Sequence, residues 1–247
     1  MKATAIAHPM QGLIKYHGLR NEKLRIPFHD SISVNVDELW TKTTVEFGDY
    51  KQDRISINKK EIYGLAKQRA IEVLNIVRKL SGVNLHAKIE SIDNISQFNA
   101  KGLGSSSSGG AALAAAAFKA ARLDKEFGWD LKLISTIARR LAGSACRSVT
   151  GEYSRWYSGN DDETSYAEKI STKSDLDLRM IAIPFPSDYP TESAHKEVLT
   201  SNFFDARIKS ANIIDLDECT CCQPDKYDSN RRDGSNAGRM IAVCGWV

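Results

Sequence analysis

The run Gly102-Leu103-Gly104-Ser105-Ser106-Ser107-Ser108-Gly109-Gly110, leading straight into Ala111-Ala112-Leu113-Ala114-Ala115-Ala116-Ala117, has the composition of an anion-binding loop that opens a helix. Glycine lets a backbone turn and approach a ligand with no Cβ in the way, and alanine has the highest intrinsic helix propensity. The N–H groups of the helix's first turn would face whatever the loop holds, backed by the positive end of the helix dipole. Serine hydroxyls add donors for phosphate oxygens and an oxygen ligand for a hard cation such as Mg2+. Neither G-x-x-x-x-G-K-[ST] nor G-x-G-x-x-G with its acidic partner is present, so this is a phosphate loop of another kind. A Gly/Ser linker would share the composition. Ile92 and Ile95 before the loop and the strong helix after it leave little room for one.

Other polar residues could act beside it. Lys15 follows the apolar Gly12-Leu13-Ile14 and precedes Tyr16, which sets an ammonium at the end of a strand expected to be largely buried, where it would need an anionic partner. A surface lysine at a strand end is the alternative. Arg147 follows the small residues Gly143-Ser144-Ala145, which permit close approach to a ligand, and its guanidinium suits bidentate contact with phosphate or carboxylate. Asp30, next to Ser31, could bind a substrate hydroxyl or cap an Asx turn. His17 reads as a partly buried structural histidine, and Arg139-Arg140 as a solvated helix end that complements the dipole.

Bulk properties narrow the class. At 247 residues, 42% hydrophobic and 26% charged, the chain can bury a sizeable core and has the make-up of a globular protein. No stretch approaches a membrane span and no secretory leader is recognisable, so the expectation is a cytoplasmic protein with no membrane partner. A net charge of +3, with bases dispersed among acids, gives no nucleic-acid stripe but leaves small anionic ligands open. Cys219, Cys221, Cys222 and Cys244 crowd the last thirty residues in a spacing that fits a zinc site poorly.

Elements must position these groups. Ala3 to Asp37 is strand-like, with a turn at Ile26-Pro27-Phe28-His29-Asp30, and Thr43–Phe47 with Arg54–Asn58 reads as a hairpin around Gly48-Asp49-Tyr50. From Glu61 to Leu80 the period changes: Ile62, Leu65, Ala66, Ala70, Val73, Leu74, Val77 and Leu80 share one helical face, and Ser81-Gly82 ends it. Leu85–Glu90 predicts a strand, Gly109 to about Arg122 a second helix, and Leu131, Ile134, Ile137, Ala138 and Leu141 a third. Glu152–Trp156 and Leu178–Pro184 predict strands, the latter buried. Strands with helices packed on one side imply an α+β fold. From Ile213 the composition turns to Asp, Cys, Asn, Arg and Gly, with no periodic apolar face before Met240-Ile241-Ala242-Val243.

Four motifs in order, Leu13-Ile14-Lys15-Tyr16-His17-Gly18, Pro27-Phe28-His29-Asp30-Ser31-Ile32-Ser33, Gly102–Gly109 and Gly143-Ser144-Ala145-Cys146-Arg147-Ser148, resemble the mevalonate diphosphate decarboxylases of the GHMP kinase superfamily, over about Ala3 to Ser210. The resemblance implies a ribosomal-protein-S5-like N-terminal domain over 1–170, the start of a ferredoxin-like α/β domain over 171–212, and an aberrant tail over 213–247. It also implies an ATP- and Mg2+-dependent reaction in isoprenoid biosynthesis, in which the 3-hydroxyl of mevalonate 5-diphosphate is phosphorylated, phosphate leaves and CO2 is lost. Phosphoryl transfer is mostly positioning and charge neutralisation. Carried over by motif position, Gly102, Gly104, Ser105, Ser106, Ser107, Ser108 and Gly109 would hold ATP, with Ser106 also on the metal. Lys15 would neutralise charge at the reacting end, Tyr16 would contact the substrate's phosphates, and Ser144 and Arg147 would hold the carboxylate. Lys15, Arg147 and Ser106 are the candidate catalytic residues, and Tyr16, Asp30 and Ser144 the candidate substrate contacts. A homodimer is one open assembly state.

The chain departs from the family it resembles at several places. The family's W-G-K is here His17-Gly18-Leu19, the serine two residues before Ser144 is Ala142, and no arginine stands near Thr191-Glu192-Ser193-Ala194-His195. That segment is more similar to an archaeal-type branch, which includes decarboxylases of mevalonate 5-phosphate or the 3,5-bisphosphate and mevalonate 3-kinases. The retained Arg147 favours a decarboxylase over a 3-kinase. No D-A-G-P-N-like motif carrying the family's catalytic Asp follows Asn212, and Asp205, Asp215 and Asp217 stand in a different context. A truncated or frame-shifted copy that binds nucleotide without turnover is therefore the competing expectation.

Overall fold

A computed structural model of the chain describes residues 1–98, 102–176, 178–181 and 199–200. The chain divides into two units, Met1–Leu199 and Thr200–Val247, and every described strand and helix belongs to the first. That unit is α+β, as the alternation of periods predicts. Among the described residues, no helix is long and apolar enough to cross a membrane.

Two sheets carry the fold. Strands β1 (Lys2–Ala7), β6 (Thr41–Gly48), β7 (Arg54–Ile57), β8 (Lys60–Glu61) and β9 (His86–Asp93) form one sheet in the order β1-β6-β9-β7-β8. Strands β2 (Met10–Ile14), β5 (Ser31–Asn35), β10 (Tyr153–Trp156) and β11 (Ala167–Ser171) form the other, in the order β11-β10-β5-β2. A short ribbon, β3 (Leu19–Asn21) with β4 (Ile26–Pro27), lies between β2 and β5 in sequence. The hairpin expected of β6 and β7 does not form. Strand β9 inserts between them, antiparallel to β6 and parallel to β7. Alternation along β6 is the reason, since Thr41, Thr43, Val45 and Phe47 are all buried. A partner on each side of a strand buried this way comes from wherever the core is completed, and adjacency in sequence does not decide it.

Helix α1 (Gly64–Ser81) buries Ala70, Val73, Leu74 and Val77, four of the positions predicted from the period, and ends on Gly82 in the left-handed conformation at φ 69°. It starts later than the periodicity suggested, because Lys60–Glu61 pair with β7 instead. Helix α2 (Ser105–Ala120) begins four residues before the expected start and is buried along most of its length from Ser107 to Ala120. Its small side chains let it approach β1 and β6 on one flank and α3 (Leu131–Arg139) and α4 (Ala145–Thr150) on the other. At Gly110 an added Cβ would stand 2.7 Å from the Ala145 Cβ, so glycine there sets how close α2 and α4 can lie. The main core packs β6, β7 and β9 against α1, α2 and α3 around Phe47, Leu74, Ile89, Phe118, Ile134 and Ile137. Of the buried strand expected over Leu178–Pro184, Leu178–Ile181 is exposed and not in a strand, with Ile181 94% exposed, and 182–184 lie outside the described residues. Among the described residues no strand pairs with it.

Asp53, just ahead of β7, ties the sheet to α1. It accepts from Arg78 Nη1 at 3.1 Å and Nη2 at 2.5 Å, and from the Ala87 amide at 2.7 Å. Burial alone would raise its pKa, but the hydrogen bonds from Arg78 and Ala87 outweigh that and hold it below the usual carboxylate value. A depressed folded-state pKa contributes stability above the unfolded pKa and loses it as the pH falls through the folded one. Asp53→Asn should lower the thermal midpoint by about 2–4 °C at neutral pH, and the gap from wild type should close under strongly acidic conditions. Parallel melting curves across pH check both parts.

Candidate active site

The serine loop is shorter than its composition suggested. Gly102 and Gly104 both take positive φ, 87° and 78°, and the helix starts at Ser105. Ser107 and Ser108 are fully buried, and their hydroxyls serve the protein. Ser107 Oγ donates to the Gly104 carbonyl at 2.6 Å, and Ser108 Oγ bonds Thr41 Oγ1 at 2.7 Å. Their amides also close on the Gly104 carbonyl. The expected ATP contacts of Ser107 and Ser108 are thus not offered by their hydroxyls. These pin the loop, because a polar group inside α2 must find its partner within the fold. Ser105 and Ser106 are exposed at the front of the helix, where the first amides have no intrahelical acceptor. Gly109 is half-buried with open space where a side chain would go.

Arg147 is the most unusual group. It lies on α4, is 1% exposed, and its Nε and Nη1 have no hydrogen-bond partner among the described residues. Its guanidinium carbon stands 5.6 Å from the centre of the Tyr16 ring and 5.7 Å from that of Trp156. Those rings meet edge to face at 4.9 Å. Burial pushes the Arg147 pKa below its usual value, with Cys146 and Tyr16 the smaller opposing influences and no carboxylate among them. Cys146, wholly buried beside it, has its thiol pushed up to about 12 by burial, which leaves it unreactive. Ser144 caps the start of α4 and is half-buried, close in sequence to Arg147 and without a side-chain cap bond of its own.

Lys15 comes immediately after β2 and is exposed. The buried strand end expected for it is corrected by the topology, since β2 is the outer strand of its sheet and has no fully buried residue along its length. A register shift between Gly12 and Ile14 turns the strand at that point, and such bulges re-aim side chains next to sites. Tyr16 is buried. Asp30 accepts from Arg155 Nε at 3.0 Å and from the Ser158 amide at 2.7 Å. Its carboxylate joins β5 to β10 and the loop beyond, which is the role of a structural cap more than that of a substrate contact.

Arg139 and Arg140 do not form the solvated helix end expected of them. Arg139 is fully buried, donating to the Ser165 carbonyl and to Asp162, and Arg140 bonds Glu72 on α1 and Asp162. Paired carboxylates offset the desolvation that keeps single arginines at surfaces. Arg140 also lines a cleft of about 430 Å3 that begins at Gly18, two residues past Tyr16. Lys23, Arg25 and Arg69 add positive charge to its wall and Glu22 and Glu72 negative. Sequence reading missed these cations because Lys23 and Arg25 fall between two motifs and Arg69 on α1, and only the fold brings them to one cleft. Thr191–His195, Asp205, Asp215 and Asp217 lie outside the described residues. Among the described residues, no group of three or more His, Cys, Asp or Glu could hold a metal ion.

Comparison with known proteins gives the chain's family. The chain is 44% identical over 209 residues to a phosphomevalonate decarboxylase of Haloferax volcanii, covering 84% of this chain and 63% of that protein. It is 30% identical over 248 residues to the diphosphomevalonate decarboxylase of Saccharomyces cerevisiae, covering 88% and 61%. Among solved structures, mevalonate diphosphate decarboxylase from Staphylococcus aureus aligns with a TM-score of 0.72 at 31% identity, over 84% of this chain and 63% of that one. A second, MDDEF in complex with MVAPP, AMPPCP and magnesium, aligns with a TM-score of 0.74 at 32% identity, over 85% and 64%. The chain thus spans less than two thirds of the length of these relatives. Residues 192–246 match a different family, described as multi-copper polyphenol oxidoreductase laccase. All but Leu199 and Thr200 of that segment lie outside the described residues. The profile of the diphosphomevalonate decarboxylase-like N-terminal domain matches residues 7–167, which hold Lys15, Tyr16, the serine loop and Arg147, and the chain belongs to that family.

Proposed function

We propose that this chain carries the nucleotide- and carboxylate-binding half of an ATP-dependent decarboxylase acting on a 5-phosphorylated mevalonate. The observation that carries the proposal is the buried Arg147 guanidinium, beside the Tyr16–Trp156 ring pair, with Nε and Nη1 unpartnered among the described residues. A cation taken out of water without a counter-ion is costly, so such a group calls for an anionic ligand. A planar carboxylate suits its fork. Ser144, at the start of the same helix, would hold the other side of the carboxylate. The basic cleft beyond Tyr16 would seat the phosphate end, with Lys23, Arg25 and Arg69 as its cations in place of the missing second lysine at Leu19.

ATP would lie across the first turn of α2, its phosphates on the amides and hydroxyls of Ser105 and Ser106. Magnesium would be carried mainly by the nucleotide's own oxygens, with Ser106 Oγ the one ligand this segment offers, and would neutralise charge on the phosphates. Lys15, exposed at the end of β2, would neutralise charge where the 3-hydroxyl attacks. Once that oxygen is phosphorylated, the C3–O bond breaks and phosphate departs. The C1–C2 bonding pair then becomes the C2=C3 double bond as CO2 leaves. Arg147 serves this step by keeping the carboxylate aligned with the departing group.

Mevalonate 5-phosphate is the favoured substrate over the 5-diphosphate, because the relative at 44% identity is a phosphomevalonate decarboxylase. Assays of ATP consumption and CO2 release with the 5-phosphate, the 5-diphosphate and the 3,5-bisphosphate decide it. We expect CO2 from the 5-phosphate at the highest rate. Accumulation of a stable 3-phosphorylated product without CO2 would make the chain a kinase, and nucleotide binding with no product from any substrate would make it an inactive remnant. We further infer that the family-like part runs past residue 200, since relatives align over 84% of the chain, and that the tail beyond it, inside the match over 192–246, belongs to a second family. Agreement of that segment with one coherent family favours this over a frame-shifted continuation.

A further inference from the structure

Trp156 belongs to none of the motifs, yet it lies against both Tyr16 and Arg147. It is fully buried at the end of β10. Its Nε1 donates to Ser165 Oγ at 3.1 Å, and the Ser165 carbonyl in turn accepts from Arg139 Nη1 at 2.7 Å. One edge of the indole is therefore fixed to the ion-paired end of α3. The opposite edge is held by Gly143, where an added Cβ would stand 2.8 Å from indole Cη2 and 2.9 Å from the Tyr16 hydroxyl. Between these restraints the ring meets Tyr16 edge to face and lies near the Arg147 guanidinium.

We propose that Trp156 is the positioning residue of this site, holding Arg147 and Tyr16 in the orientation that receives the substrate's carboxylate. The inference rests on reading Arg147 as the carboxylate-binding group. A long side chain with no carboxylate partner has several rotamers open to it, and a desolvated cation near two ring faces loses most of them. Preorganisation of this kind spares the ligand the cost of ordering the group when it binds. Because the indole is anchored through Ser165, the orientation is transmitted from the Arg139–Asp162 pair and does not depend on the ligand.

The test uses the full chain with Trp40, Trp129 and Trp246 changed to Phe, so that emission reports Trp156 alone. Titration with mevalonate 5-phosphate is expected to shift that emission, and titration with ATP is not. Trp156→Leu and Ser165→Ala should each weaken mevalonate 5-phosphate binding about tenfold by calorimetry, the scale of a desolvated cation–π contact, and leave ATP affinity unchanged. Trp156→Phe should recover most of the loss. If Trp156→Leu does not fold, Ser165→Ala decides the matter. Weakening of both ligands alike, or of neither, would overturn the proposal. Arg147→Met separates the two readings: if it loses mevalonate 5-phosphate binding while the Trp156 and Ser165 variants keep theirs, the proposal fails and the site assignment stands. If Arg147→Met binds as well as wild type, both fail.

Discussion

Arg147→Met is expected to cut decarboxylation by orders of magnitude and, at the same time, to make the protein more stable. The two effects have one cause. The guanidinium is 1% exposed, two of its nitrogens lack partners, and no carboxylate among the described residues pairs with it. In the folded chain without ligand it is a desolvated charge, partly offset by two aromatic faces. Replacement of buried charge by well-packed apolar side chains stabilises proteins by about 1–4 kcal/mol, which for a chain of this size is roughly 2–4 °C in the thermal midpoint for each kcal/mol. Methionine has the length and flexibility to fill the space beside Tyr16 and Trp156. Loss of the charge that fixes the carboxylate should lower kcat/KM by roughly a hundred- to a thousand-fold, at 1.4 kcal/mol per factor of ten. Thermal melts and CO2 release on the same preparations check the pair. A lower midpoint would show that Arg147 is held by favourable interactions in the free protein, and retained turnover would remove it from the site.

Gly104→Ala should act in the opposite sense, costing both stability and nucleotide affinity. Gly104 has φ 78°, in the left-handed region, where an L side chain costs about 1–2 kcal/mol before any contact is considered. The new Cβ would stand 2.8 Å from the Pro9 Cβ and 3.0 Å from Ser107 Oγ. Neither neighbour can yield easily, since proline is rigid and Ser107 Oγ is committed to the Gly104 carbonyl and accepts from the Met10 amide. Relief must come from the loop, which moves Ser105 and Ser106 at the helix front. We expect ATP binding to weaken about tenfold or more as the anion-facing amides lose their aim, with a clear fall in the thermal midpoint. Gly109→Ala is the control. It adds a methyl to open space inside α2 and should stabilise by up to about 1 kcal/mol through helix propensity. A Gly104→Ala protein with wild-type ATP affinity would mean that the loop does not hold the nucleotide.

Much of the fold and part of the site were legible in the chain itself. Positive-φ glycines before an alanine-rich helix announce their geometry locally, and so does the apolar period of α1. Each depends on backbone preferences acting over a few residues. The small residues ahead of Arg147 likewise marked a close approach without naming what is approached. Local rules failed wherever a partner comes from far along the chain. Strand β9 displaced the β6–β7 hairpin, since the inner positions of β6 are satisfied from both sides by distant segments. Ser107 and Ser108 turned inward to meet Gly104 and Thr41. Arg139 and Arg140 went into the interior because Asp162, Ser165 and Glu72 were there to receive them.

The sequence by itself determined which side chains bring charge, which turns need glycine and which helix would present its amides to an anion, because those properties belong to a residue and its immediate neighbours. Only the tertiary structure decided that Arg147 would sit beside Tyr16 and Trp156 with no counter-ion among the described residues, and that Asp30 would be taken by Arg155. Whether a charge is paired or left waiting for a ligand depends on burial and on contacts across more than a hundred residues of chain, as the Asp30–Arg155 separation of 125 illustrates.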